Sequence, residues 1–96
     1  MPRGSVIRKT IGNALDCYQD VYNPLTGTVS VSTANNCVYC IYEQLFLSPS
    51  EQKQFHACSV YCWPYELATA RRVCCQGVLC NRDFTEAKAR EVRGTQ

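Results

Sequence analysis

The sequence predicts a small, disulfide-rich, mostly β domain. Three observations carry that expectation: eight cysteines lie within 96 residues, short runs with β patterning recur, and turn-forming residues separate them. A chain of this length holds one domain, and its core alone stabilises it weakly. The apolar fraction of 46% leans on Cys and Tyr. Much of the stability is therefore expected from Cys17, Cys37, Cys40, Cys58, Cys62, Cys74, Cys75 and Cys80, an even count suited to a secreted scaffold.

In chain order, Met1-Pro2-Arg3-Gly4-Ser5 looks like the remnant of a cleaved tag, and residues 1–16 are read as that remnant plus an N-terminal leader. Asn23-Pro24 and Gly27 mark a turn, and Thr28–Ser32 alternates as a half-buried strand should. Cys37–Tyr42 is rich in β-branched and aromatic residues and reads as a second strand. Ser48-Pro49-Ser50 breaks the run after Phe46 and Leu47, and a further strand is expected over Phe55–Tyr61. Trp63-Pro64 interrupts it, Glu66–Arg71 has the propensity for a helical turn, and Val73–Leu79 is expected as a last strand. Tyr39, Tyr42 and Tyr61 are expected to pack between strands, and for Trp63 packing and exposed contact are both open. Residues 82–96 are read as a C-terminal tail that forms either a short helix or a stalk: Asp83 and Glu86 fit a capping box, but so short a helix is marginal in water unless it docks, which favours the solvated tail.

A net charge of +2, with ten basic and eight acidic residues interspersed, argues against nucleic acid as the partner. It gives no reason for attraction to an anionic membrane, so a membrane role is expected only through a lipid anchor removed from this chain. Paired cysteines require an oxidising compartment, so the protein is expected to be extracellular, with a secretion signal ahead of Val6 in the full gene. Catalysis has little to build on. His56 is the single histidine, it lies in an expected strand, and the carboxylates are scattered. The chain is read as no enzyme, with neither cofactor nor metal.

The cysteine pattern leaves two readings open. Cys37-x2-Cys40 followed by Cys58-x3-Cys62 approximates a four-cysteine zinc spacing, as in a zinc-binding intracellular domain, but Cys17, Cys74, Cys75 and Cys80 then have no role. In the disulfide reading, Cys74 and Cys75 take different partners, because adjacent Cα atoms about 3.8 Å apart are too close to bridge.

The closing segment Cys74-Cys75-Gln76-Gly77-Val78-Leu79-Cys80-Asn81 resembles the ending of the three-finger superfamily, which includes snake three-finger toxins, lymphocyte-antigen-six/urokinase-receptor (LU) domains and TGF-β-family receptor ectodomains. The spacing of the other cysteines fits its eight-cysteine form over residues 17–81. The resemblance implies a three-finger fold, with three β-hairpin loops projecting from a four-disulfide palm. It further implies the bridges Cys17–Cys40, Cys37–Cys58, Cys62–Cys74 and Cys75–Cys80, and a structural role for Asn81 in bonding backbone inside the palm. The extra finger-one bridge of many LU domains is missing. The tip Leu47–Lys53 lacks the Arg that receptor-blocking toxins present there.

The functional expectation is a module that binds a cell-surface receptor or a secreted protein through its loop tips, with a TGF-β-type receptor ectodomain as the alternative within the superfamily. The expected contact residues are Tyr22 and Leu25 in finger one, Phe46, Leu47 and Pro49 in finger two, and Trp63 and Tyr65 in finger three. Phe46 and Leu47 lead this group because a turn follows them directly.

Overall fold

The computed structural model describes residues 15–92, so most of the expected tag remnant and leader lies outside the described residues. Six strands and one helix follow in order: β1 (Leu15–Asn23), β2 (Thr28–Cys37), β3 (Tyr39–Ser48), β4 (Glu51–Ser59), β5 (Tyr65–Glu66), β6 (Ala70–Cys75) and α1 (Phe84–Ala89). Strands β1 and β2 form a two-stranded antiparallel hairpin. The other four make an antiparallel sheet in the order β4-β3-β6-β5. The expected turn at Asn23–Gly27 closes the first hairpin. Gly27 adopts φ +70°, its N–H donates to the Asn23 carbonyl at 2.8 Å, and the Asn23 side chain accepts from Leu25 N–H at 2.9 Å. Pro49-Ser50 turns β3 into β4.

Four disulfides gather at one end of the strands: Cys17–Cys40, Cys37–Cys58, Cys62–Cys74 and Cys75–Cys80. These are the pairs that the resemblance implies, and the adjacent Cys74 and Cys75 bridge in different directions. Each of the longer loops so closed contributes about 3 kcal/mol by restricting the unfolded chain. Most of the buried apolar residues are these cysteines, all but the half-buried Cys58, joined by Ile41, Tyr42, Ala70, Val73 and Ala87. Asn81, fully buried, stitches this region together. Its carbonyl oxygen accepts from Tyr18 N–H at 2.9 Å, and its amide donates to the carbonyls of Tyr18 (2.9 Å) and Ile41 (2.8 Å). One side chain thus ties β1 to β3.

Several local expectations are corrected. Glu66–Arg71 forms no helical turn: Tyr65-Glu66 pair with Arg71-Arg72, because ladder bonds to a central strand outweigh a weak intrinsic preference. The last strand starts earlier than expected, at Ala70, and ends at Cys75; Leu79 has φ +54° in the turn that follows. Strand β2 is not half-buried. Residues 28–33 are all exposed despite their alternation, because only the part of the hairpin near Asp20 meets β4. Tyr42 is buried and Tyr39 half-buried, but Tyr61 lies beyond the end of β4 and is exposed.

The C-terminal segment takes the helical alternative rather than the solvated tail, because the helix docks. Asp83 caps α1, its carboxylate accepting from Glu86 N–H at 2.8 Å, and this bond is the chief cause of its lowered pKa. Ala87 is fully buried in the core with Tyr42 and Val73, while Phe84 packs against the same cluster. The chain then runs back along the sheet, where Val92 N–H donates to the Cys74 carbonyl at 2.9 Å. Tertiary packing supplies what the helix is too short to supply itself.

Candidate functional site

Alternation along the central strand β3 assigns the two faces of the four-stranded sheet different work. Tyr42, Gln44 and Phe46 point to the face on which α1 lies. Opposite Tyr42 are His56 on β4 and Val73 on β6; opposite Gln44 are Gln54 and Arg71. This face is internally satisfied. Arg71 donates from Nε to Gln44 Oε1 at 2.7 Å, Gln44 Nε2 donates to Gln52 Oε1 at 2.7 Å, and the Arg71 guanidinium lies 3.4 Å from the centroid of Phe84 and 5.4 Å from that of Phe46.

His56 belongs to the same side and is held structurally. Its backbone N–H donates to Asp20 Oδ2 at 2.9 Å, its Nδ1 meets Asp20 Oδ1 at 2.9 Å, and its Nε2 lies 3.3 Å from the Arg82 carbonyl. Tyr42 and Tyr18 stand edge-on to its ring. The pair fastens the base of the first hairpin to β4. Burial pushes the Tyr42 phenol above its usual range.

The opposite face carries Ile41, Glu43 and Leu45 from β3. Ala57, Phe55 and Lys53 stand opposite on β4, and Cys74, Arg72 and Ala70 on β6, with Tyr65 beyond Arg72. Its bridged end is covered, with Ile41 and Cys74 buried beside Cys62 and packed against Tyr39, Ala57 and Val92, while Leu45, Phe55 and Lys53 farther along are exposed. At its centre sits a polar cluster: Tyr65 Oη donates to Glu43 Oε2, an Arg72 terminal nitrogen lies 3.4 Å from the same oxygen, and the guanidinium lies 5.0 Å from the Tyr65 ring centroid. The Glu43 bond is the main reason the Tyr65 phenol is raised above 10.0, with burial adding to it. Beside this cluster runs an open groove of about 290 Å³ between Ile41, Ala57, Tyr61, Trp63, Glu43 and Arg72. Trp63 is 62% exposed and Tyr61 60%, with Phe55 and Leu45 also exposed on the face.

The residues expected from sequence divide accordingly. Trp63 and Tyr65 come together on the open face, Trp63 as an exposed rim and Tyr65 as part of the polar centre. Leu47 and Pro49 are exposed at the end of the second hairpin. Tyr22 and Leu25, the latter 93% exposed, form a separate apolar end on the first hairpin. Phe46 is a correction: it is half-buried beneath Arg71 on the helix side, because neighbouring strand residues face opposite ways. Sequence reading missed Phe55, Glu43 and Arg72. The signal for Phe55 was the alternation through Phe55-His56-Ala57, once His56 is placed on the helix side.

All eight cysteine sulfurs are used in bridges. Among the described residues, no group of three or more His, Cys, Asp or Glu is placed to hold a metal ion, and no helix is long and apolar enough to cross a membrane. Compared with protein-family models, with curated proteins and with solved structures, the chain matches none.

Proposed function

We propose that this chain is an extracellular, non-enzymatic binding module of the three-finger, LU-like kind, which engages a membrane receptor or a secreted protein through the open face of its four-stranded sheet. One observation carries the reading. Trp63 and Tyr61 stand exposed on the rim of a groove that Glu43 and Arg72 also line, beside the Glu43–Arg72–Tyr65 cluster, and Phe55 and Leu45 are exposed farther along the same sheet face. Exposed apolar patches with a polar centre are where partners anchor, and Trp, Tyr and Arg contribute most there. The bridges hold the strands rigid beneath these groups, so little ordering cost is incurred on binding.

Four disulfides in so small a domain point to an oxidising compartment, in keeping with secretion or display at the cell surface. The Cys74–Asn81 ending and the three hairpin-like extensions from one bridged end support the three-finger plan. The zinc reading loses its thiolate ligands to the bridges. His56 is held by Asp20 and by the Arg82 carbonyl, which supports the non-enzymatic reading.

The test is saturable binding of the oxidised protein to intact cells, read by flow cytometry. Trp63→Ala and Phe55→Ala are each expected to weaken it by about tenfold or more, since truncating a central anchor costs about 2 kcal/mol. Binding that survives both changes but is lost with Leu25→Ser moves the site to the first hairpin and refutes the sheet face.

A further inference from the structure

The first hairpin carries a feature that the open sheet face does not use. Strand β2 is the outer strand of its two-stranded sheet, and no backbone group among the described residues pairs with its far edge. A strand in that position presents alternating N–H and C=O groups with no partner, and proteins guard such edges with charge, proline or a bulge. Strand β2 has none of these guards over Thr28–Ala34. The segment Thr-Val-Ser-Val-Ser-Thr-Ala contains no charged residue and no proline, and its register with β1 is regular from Tyr18 to Asn23. The one irregularity lies at Leu15/Cys17, by the bridges. Val29 and Val31 are 62% and 55% exposed. The edge of β4 differs: it carries Glu51 and Lys53, and Asp20 already takes the His56 N–H.

We propose that the outer edge of β2 pairs antiparallel with the same edge of a second copy of this chain, across a two-fold axis at Val31. A two-fold contact needs a self-complementary surface, and an uncharged strand meets itself without repulsion in this register. Val31 then faces its own mate, Ser30 faces Ser32, Val29 faces Thr33 and Thr28 faces Ala34. β-branched residues opposite one another, and Ser opposite Ser, are favourable cross-strand pairs. Within one copy, Tyr22 stands opposite Val29 and Asp20 opposite Val31, so these residues share a face. Pairing therefore builds a four-stranded sheet with the two Val31 side chains at its centre and a Tyr22–Val29 row on either side.

The size of the contact sets its strength. Seven paired residues span about 23 Å, and a single strand edge of that length buries less than the roughly 1,000 Å² of a stable interface. The dimer is thus weak in dilute solution and forms where the protein is concentrated.

Sedimentation equilibrium of the oxidised protein, from about 10 μM to about 1 mM, tests this. A concentration-dependent dimer is expected near the upper end. Val31→Lys sets two ammonium groups opposite each other and is expected to raise the dimer Kd at least about tenfold, because like charges in a cross-strand pair repel. Val31→Thr keeps the β-branched shape and should retain the dimer. Leu47→Lys, on the second hairpin, should leave it unchanged. Val31 is exposed, so a near-ultraviolet circular dichroism spectrum identical to the parent's verifies that each variant is folded. A monomer at every concentration overturns the proposal, and so does a dimer that Val31→Lys leaves intact.

Discussion

Replacing Asn81 by alanine tests how the bridged end is held. The carboxamide meets four backbone groups: Tyr18 N–H, Tyr18 C=O, Ile41 C=O and, at a longer 3.5 Å, Ala57 C=O; the first three carry most of the effect. A buried polar group left without a partner costs about 1–3 kcal/mol. Tyr18 is half-buried, so water reaches its groups in part and they fall at the low end; Ile41 is buried and falls at the high end. The expected loss is about 3–5 kcal/mol, a large share of the net stability of a small domain. Urea unfolding with the disulfides intact measures it, as a lower midpoint at unchanged slope. Asn81→Asp sharpens the comparison. It keeps the acceptor for Tyr18 N–H but turns an oxygen toward two carbonyls, and should destabilise at least as strongly as alanine at neutral pH. A loss below about 1 kcal/mol in both variants refutes the reasoning, since it would mean that the bridges alone fix β1 against β3.

Other consequences follow from the helix and the open face. The Asp83 carboxyl has a lowered pKa, chiefly through the Glu86 N–H, so its cap stabilises α1 above its ordinary value of 3.8 and that contribution is lost as pH falls through the lower folded value. The Ala87 methyl resonance should shift in that acid range in the parent and not in Asp83→Asn. Tyr65 is raised by its bond to Glu43, so the stability it adds is complete below 10.0 and is lost as pH rises through the higher folded value. Ultraviolet titration of Glu43→Gln should show the phenol ionising at lower pH than in the parent. Arg71→Met removes the bond to Gln44 and the stacking on Phe84, and should cost about 1–3 kcal/mol. Faster amide exchange confined to α1 and its neighbours identifies that loss.

What the sequence reveals here is mostly covalent and local. Eight cysteines with an adjacent pair, an Asn after the last of them, and turn residues at Asn23, Gly27 and Pro49 are chemical statements that survive without tertiary context. Burial is a different matter. Thr28–Ser32 alternates as a buried strand would, yet the alternation implies a packed face only if something packs on it, and these residues are all exposed. Glu66–Arg71 favours a helix locally, but the free edge of β6 recruits Tyr65-Glu66. Phe46 and Leu47 read alike from the turn beside them, and only the parity of β3 sends Phe46 under Arg71. The helix at 84–89 is visible through its cap, whereas its docking depends on Ala87 meeting Tyr42 and Val73, which lie on two different strands.

Because every crosslink sits at one end, the far part of the first hairpin is structurally unencumbered. Residues 21–33 are all exposed and include no cysteine. That stretch is a replaceable cassette: foreign loops of varied length and sequence should graft there while oxidative folding proceeds to the same four sulfur pairs. The domain would then serve as a carrier that gains a second specificity without touching its frame.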